Sequence, residues 1–191
     1  MIAFAGLRPA EANSIQVGDI DWTNRTLRVS RQVQRGAIGA GVEVRSPKYG
    51  SERTVYIPDD LLIMLSEQTS RRRLTVNNHD AWLFVGKDET MPPRQNTLAV
   101  RWQRTCRRAG VEGFTPHSLR HFYASALIAN GCDVVTVSRA MGHRNPSITL
   151  KVYAHLWPTA ADRTRTAGAN LMASVAAAAS VRTADTASGS D

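Results

Sequence analysis

Two rhythms of apolar residues run along the chain. Leu27 and Val29 alternate with polar neighbours across residues 25–31, which predicts a strand with one buried face. Residues 42–45 and 53–57 carry a similar pattern and are predicted to form a hairpin around residues 46–51; a glycine-rich loop, residues 35–41, precedes them. Elsewhere the spacing is helical. Residues 1–7 read as a helix broken at Gly6, and another begins at residue 8. Pro58, Asp59 and Asp60 open a helix with Leu61, Leu62, Met64 and Leu65, and Asn96 opens one through Leu98, Val100, Trp102 and Cys106. Thr115 and Pro116 start a helix that carries Leu119, Tyr123, Ala126 and Leu127 and stops at Asn130 and Gly131. A short helix spans residues 133–141 and ends at Gly142; Ser147 caps the next, in which Ile148, Val152 and Leu156 recur every fourth position as a buried stripe. The last helix starts near Thr159 and runs through Leu171, Met172 and Val175 into an alanine tract. The predicted fold class is α+β, mainly α-helical with a small antiparallel sheet.

The length, 191 residues, suits one domain with a sizeable core and a tail. Residues 1–179 are expected to form that domain, and 180–191, polar and small, a disordered C-terminal tail. Lysine and arginine number 24 against 16 acidic residues, a formal charge of +8, which is the footprint of a polyanion-binding protein. Arg101, Arg104, Arg107 and Arg108 share one helix and are candidates for contact with a nucleic-acid backbone, whereas Arg71, Arg72 and Arg73 read as a solvated face. No apolar run is long enough to span a bilayer, and the apolar start lacks the basic leader of a secretory signal. The two cysteines, Cys106 and Cys132, suit a reduced, cytoplasmic protein, and no metal-binding spacing occurs.

Candidate chemistry gathers in residues 115–155. His117 and Arg120 lie three apart on one helix face near its N-terminus, where the dipole and free N–H groups favour an anion. His143 follows in Gly142-His143-Arg144-Asn145-Pro146, and Tyr153 ten residues later, beside the apolar stripe. These are groups suited to surround a phosphate.

Taken in order, His117-x-x-Arg120, Gly142-His143 and Tyr153 resemble the signature of the tyrosine recombinase (phage integrase) family. The flanking residues Leu119-Arg120-His121, Met141-Gly142-His143 and Tyr153-Ala154-His155 extend the match. Residues 5–11, with Ala5 where the family usually has Thr, resemble its first arginine box and make Arg8 the first active-site arginine; Glu11 then orients Arg8 or packs against its neighbours. The turn that carries Lys48 resembles the family's lysine turn.

The resemblance implies a tyrosine recombinase catalytic-domain fold and a site made of Arg8, Lys48, His117, Arg120, His143 and the nucleophile Tyr153. In that scheme Arg8 and Arg120 hold the non-bridging phosphate oxygens and His143 donates to the phosphate. His117 exchanges a proton with Tyr153, and Lys48 protonates the departing 5′ oxygen. The product is a 3′-phosphotyrosyl link, formed without metal or other cofactor. The implied partner is double-stranded DNA, with self-association into a tetramer in the full-length protein, where the terminal helix packs into a neighbouring protomer. Alternatives are strand relaxation like that of a type IB topoisomerase, or a catalytically inactive DNA-binding remnant. Family members usually carry a helical DNA-clamping domain ahead of this one, so the chain is expected to be a catalytic domain cut from a longer protein or a truncated gene product. Such a fragment should bind DNA weakly at physiological salt, form adduct at low yield and fail at complete strand exchange.

Overall fold

The computed structural model of the chain describes residues 1–36, 41–87 and 89–187. It divides into two units, Met1–Ala154 and His155–Asp191.

In the first unit, helix α1 (Ile2–Ala5) stops where Gly6 turns left-handed, at φ 63°. Glycine is required there twice over: a Cβ would also fall 2.5 Å from the ring of Tyr123. Gly6→Ala should therefore lower the thermal midpoint, since the left-handed backbone alone costs about 1–2 kcal/mol for a residue with a side chain. An unchanged melting curve would contradict this. Helix α2 (Pro9–Ala12) follows with Pro9 in its first turn, where the missing N–H is harmless.

The strands form two antiparallel sheets. In one, β2 (Thr26–Val29) lies between β1 (Ile20–Asp21) and β5 (Arg53–Tyr56), with Leu27 opposite Val55 and Arg28 opposite Thr54. In the other, β3 (Gln32–Arg35) pairs with β4 (Val42–Arg45), Val33 opposite Val44. The hairpin expected between residues 42–45 and 53–57 therefore does not form. The intervening turn, Lys48–Gly50, holds both Tyr49 and Gly50 at positive φ, and the chain leaves it for the other sheet. There Val55 joins buried Leu27 and Val29 on one face. Of the glycine-rich loop, residues 37–40 lie outside the described residues.

Helix α3 (Asp59–Arg71) starts with two acids, which suit the positive end of its dipole, and buries Leu61, Leu65 and Thr69. Leu61 and Leu65 join Ile2, Leu7, Ile15, Leu27, Val29, Val55 and Leu83 in the main core. Helix α4 (Gln95–Arg108) buries Cys106 and leaves Arg101, Arg104, Arg107 and Arg108 exposed. Helix α5 (Pro116–Ala129) begins at a capping box in which Thr115 Oγ1 accepts from the Ser118 N–H. Its buried residues are Arg120, Ala124 and Ile128. Asp133 caps helix α6 (Val134–Met141), which ends at Gly142 with φ 60°.

Helix α7 (Pro146–Tyr153) departs from expectation at both its start and its buried face. It is entered from Asn145 with Pro146 first, so Ser147 is not the cap. Ile148, Val152 and Leu156 are 40%, 43% and 40% exposed, while Thr149 and Tyr153 are buried. The inward face is chosen by hydrogen bonds from those two residues, and the apolar stripe turns outward.

In the second unit, helix α8 (Ala160–Ala187) extends beyond the boundary expected at residue 180, in keeping with the high helix propensity of its alanines. Its Leu171, Met172 and Val175 are exposed. Residues 188–191 lie outside the described residues. Among the described residues, no helix is long and apolar enough to cross a membrane.

Candidate active site

The site is built around a fully buried carboxylate. Glu11, with 0% exposure, accepts from Arg8 Nη1 at 2.7 Å, from the Arg8 backbone N–H at 2.8 Å and from Arg53 Nη2 at 2.9 Å. Burial alone would raise its pKa; the bonds from Arg53 and Arg8 outweigh that and hold it below the ordinary carboxylate value.

Three guanidinium groups converge on the end of α6. Arg53 Nε donates to Ala140 O at 3.2 Å, Arg120 donates to Met141 O, and Arg8 Nη2 donates to Gly142 O at 2.8 Å. The last carbonyls of a helix have no intrahelical donor and carry its negative dipole end, so this is where a cationic cluster is best tolerated. Gly142 makes the approach possible: a Cβ there would lie 2.6 Å from Arg53 Nη1. Arg120, only 3% exposed, also donates to Gly6 O. Its pKa is pushed down to about 9 by burial and then by Arg8, with Glu11 opposing, so it remains cationic at neutral pH. It spends two directed donors on carbonyls, and a guanidinium carries five N–H bonds, so donors remain for an anion.

The histidines stand beside this cluster. His117 and His121, one turn apart on α5, meet edge to face with ring centroids 4.8 Å apart. Nδ1 of His121 lies 2.6 Å from Oη of Tyr153. Tyr153 is 5% exposed, and burial raises its pKa while Arg120 pulls the other way. Partial burial, followed by the charges of His121, Arg120 and Arg8, holds the pKa of His117 below its ordinary value. His143 is pushed down to about 4 by burial and then by Arg120, Arg8 and Arg53, so its imidazole is neutral at pH 7. Its Nδ1 lies 2.8 Å from Oγ1 of buried Thr149, a contact that sets the ring's orientation and leaves Nε2 for another partner.

Lys48 is exposed on the turn after β4. With Arg8, His117 and residues of β3 it lines a cleft of about 510 Å³. The sequence-derived residues thus form two connected groups. Arg8, Lys48 and His117 line the cleft, and Arg8 and Arg120 bond to the adjacent carbonyls of Gly142 and Met141. Tyr153 joins His117 through His121, and His143 packs behind on Thr149.

Motif reading passed over three participants. His121 is four residues after His117, the spacing that puts two side chains on one helix face. Arg53 shares strand parity with buried Val55, which marks it as inward-facing. Thr149 carried no signal beyond its place one turn before Tyr153. Among the described residues, no group of three or more His, Cys, Asp or Glu side chains could hold a metal ion.

The profile described as the phage integrase family matches residues 1–159. A XerC-like tyrosine recombinase of Caldanaerobacter subterraneus subsp. tengcongensis is 31% identical over 176 residues, covering 83% of this chain and 45% of that protein. Transposase A of transposon Tn554 from Staphylococcus aureus is 30% identical over 155 residues, covering 79% of this chain and 40% of the transposase. The chain therefore spans less than half the length of these two relatives. Among solved structures, residues 82–397 of the Tn1549 transposon integrase, in complex with a circular intermediate DNA, align with TM-score 0.73 at 20% identity, over 88% of this chain and 55% of that one. XerA recombinase aligns with TM-score 0.61 at 21% identity, over 83% of this chain and 56% of XerA. The structural matches support the α+β, mainly helical fold, and the profile, which covers most of the sequence, assigns the lineage: the chain belongs to the phage integrase family.

Proposed function

We propose that residues 1–179 are the catalytic part of a site-specific DNA recombinase that breaks and rejoins strands of double-stranded DNA through a 3′-phosphotyrosyl intermediate. The observation that carries this reading is the Tyr153 hydroxyl bonded to one of a pair of histidines, with the charge of Arg120 acting on it. A protein nucleophile conserves the energy of the broken phosphodiester, which water would discard, and a phenolate can leave again when the strand is rejoined. At an ordinary pKa near 10, roughly one tyrosine in a thousand is ionised at pH 7, so the attack needs help from nearby groups.

Arg8 and Arg120 suit the non-bridging phosphate oxygens, since planar guanidinium forks match a phosphate and their charge stabilises the transition state. His143, neutral and oriented by Thr149, donates from Nε2. Lys48, on the open rim of the cleft, reaches the departing 5′ oxygen and protonates it, and His117 serves the proton traffic of Tyr153. The scheme needs no cofactor. The recombinase and transposase relatives favour strand exchange over the supercoil relaxation of a type IB topoisomerase. The DNA complex of the Tn1549 integrase supports duplex DNA as the partner, which the protein would meet in the cytoplasm.

Self-association on paired sites, as a tetramer in the longer protein, is part of the same proposal, with α8 as the docking element. Its apolar stripe is too thin to hold a long alanine-rich helix by itself. Truncation before Ala160 should reduce assembly on paired sites, read by gel shift, more than it reduces cleavage by single subunits. Equal assembly with and without the helix would make it a simple tail.

The test of the function is a pool of nicked duplexes of randomised sequence at low salt. Covalent protein–DNA adduct is expected, and its recovery defines the preferred site. DNA binding with no adduct would reduce the chain to an inactive DNA-binding remnant.

A further inference from the structure

His121 stands outside the six residues named by motif, yet its Nδ1 is 2.6 Å from the Tyr153 hydroxyl. His117 does not take that place: its ring packs edge-on against His121, 4.8 Å between centroids. We propose that His121 is a catalytic residue, the base that takes the Tyr153 proton during strand cleavage, with His117 second in line behind it. The proposal rests on the recombinase reading above.

The geometry is that of a strong hydrogen bond ready for transfer. A neutral His121 with its proton on Nε2 presents a lone pair at Nδ1 to the phenol. As Tyr153 Oη bonds to phosphorus, the phenol proton passes to Nδ1. The bond from phosphorus to the 5′ oxygen breaks, and that oxygen takes its electron pair and a proton from Lys48. The products are the tyrosyl phosphodiester, a 5′ hydroxyl, an imidazolium and a neutral lysine, so atoms and charge balance. Rejoining runs the same steps backwards. The titratable groups facing His121 are His117 from α5 and Tyr153 from α7, with His143 within electrostatic reach. Burial keeps the free phenolate of Tyr153 scarcer still, so direct ionisation to solvent is a poor substitute.

The substitutions His121→Gln and His121→Ala separate the possibilities. Glutamine can still accept a hydrogen bond from the phenol but cannot take its proton. Adduct formation would be timed on the nicked duplex that the wild-type protein cleaves, once with the ordinary 5′ oxygen at the scissile bond and once with a bridging sulfur, which leaves without protonation. Both variants should react about 10²-fold more slowly than wild type, and sulfur should restore Lys48→Ala but neither His121 variant. Between pH 7 and 9 the variants' rates should climb about tenfold per unit, because only the phenolate reacts, and the wild-type rate less steeply. A glutamine variant at wild-type rate would overturn the proposal, as would rescue of the His121 variants by sulfur. Gel shift and thermal melting check folding; should the alanine variant not fold, the glutamine variant, which keeps the bond, carries the test. If wild type reacts and the glutamine variant matches it, this inference alone falls; if wild type forms no adduct, the recombinase reading falls with it.

Discussion

Tyr153→Phe is expected to abolish covalent attachment to DNA while leaving DNA affinity nearly unchanged. The change removes one oxygen from a side chain that is otherwise packed, 5% exposed, on the inner face of α7. Its hydroxyl has one described partner, His121, which is exposed to solvent and can rehydrate. Stability should therefore fall by no more than about 1–2 kcal/mol, the worth of one hydrogen bond. Adduct should fall below detection on denaturing gels. A phenylalanine variant that still formed adduct would move the nucleophile elsewhere, with Tyr123 and Tyr56 the next residues to try.

The largest effect on folding is expected at Glu11. Its carboxylate is fully buried between Arg8 and Arg53, and the Arg53 side chain is 8% exposed. Glu11→Ala leaves two guanidinium groups facing each other without their counter-charge. Breaking a buried pair in this way costs about 3–5 kcal/mol, a large part of the roughly 5–15 kcal/mol that holds an ordinary domain together. The urea midpoint should drop accordingly, and a variant as stable as wild type would contradict the central place given to this carboxylate. The sign of the pH effect follows from the depressed pKa. The stabilisation from Glu11 is present above its ordinary value of 4.5 and is lost as pH falls below that through the folded-state pKa. Glu11→Gln should flatten the acid limb of the stability curve.

Much of the site was legible because its residues sit in short local motifs. Thr115-Pro116 announces the start of α5, and His117 and Arg120 then share a face by spacing alone. The helix stops at Gly6 and Gly142 were legible too, though the reason for glycine at each, a ring from α5 in one case and Arg53 in the other, is a long-range contact that no local pattern encodes. Strand pairing was misread at residues 42–57, because two successive left-handed residues, Tyr49 and Gly50, redirect a turn that looks like a hairpin by composition. The buried face of α7 was misread for a different reason. Hydrophobic periodicity assumes that apolar residues choose the inward side, and here Thr149 and Tyr153 choose it through His143 and His121.

The most direct measurement is to map the protein–DNA linkage in the wild-type adduct by protease digestion and mass spectrometry, with end-group analysis of the released strand. The expected result is a single peptide modified on Tyr153 through a 3′-phosphate, together with a free 5′ hydroxyl. Linkage through another residue, or to a 5′-phosphate, would contradict the assignment of Tyr153 and the mechanism built around it.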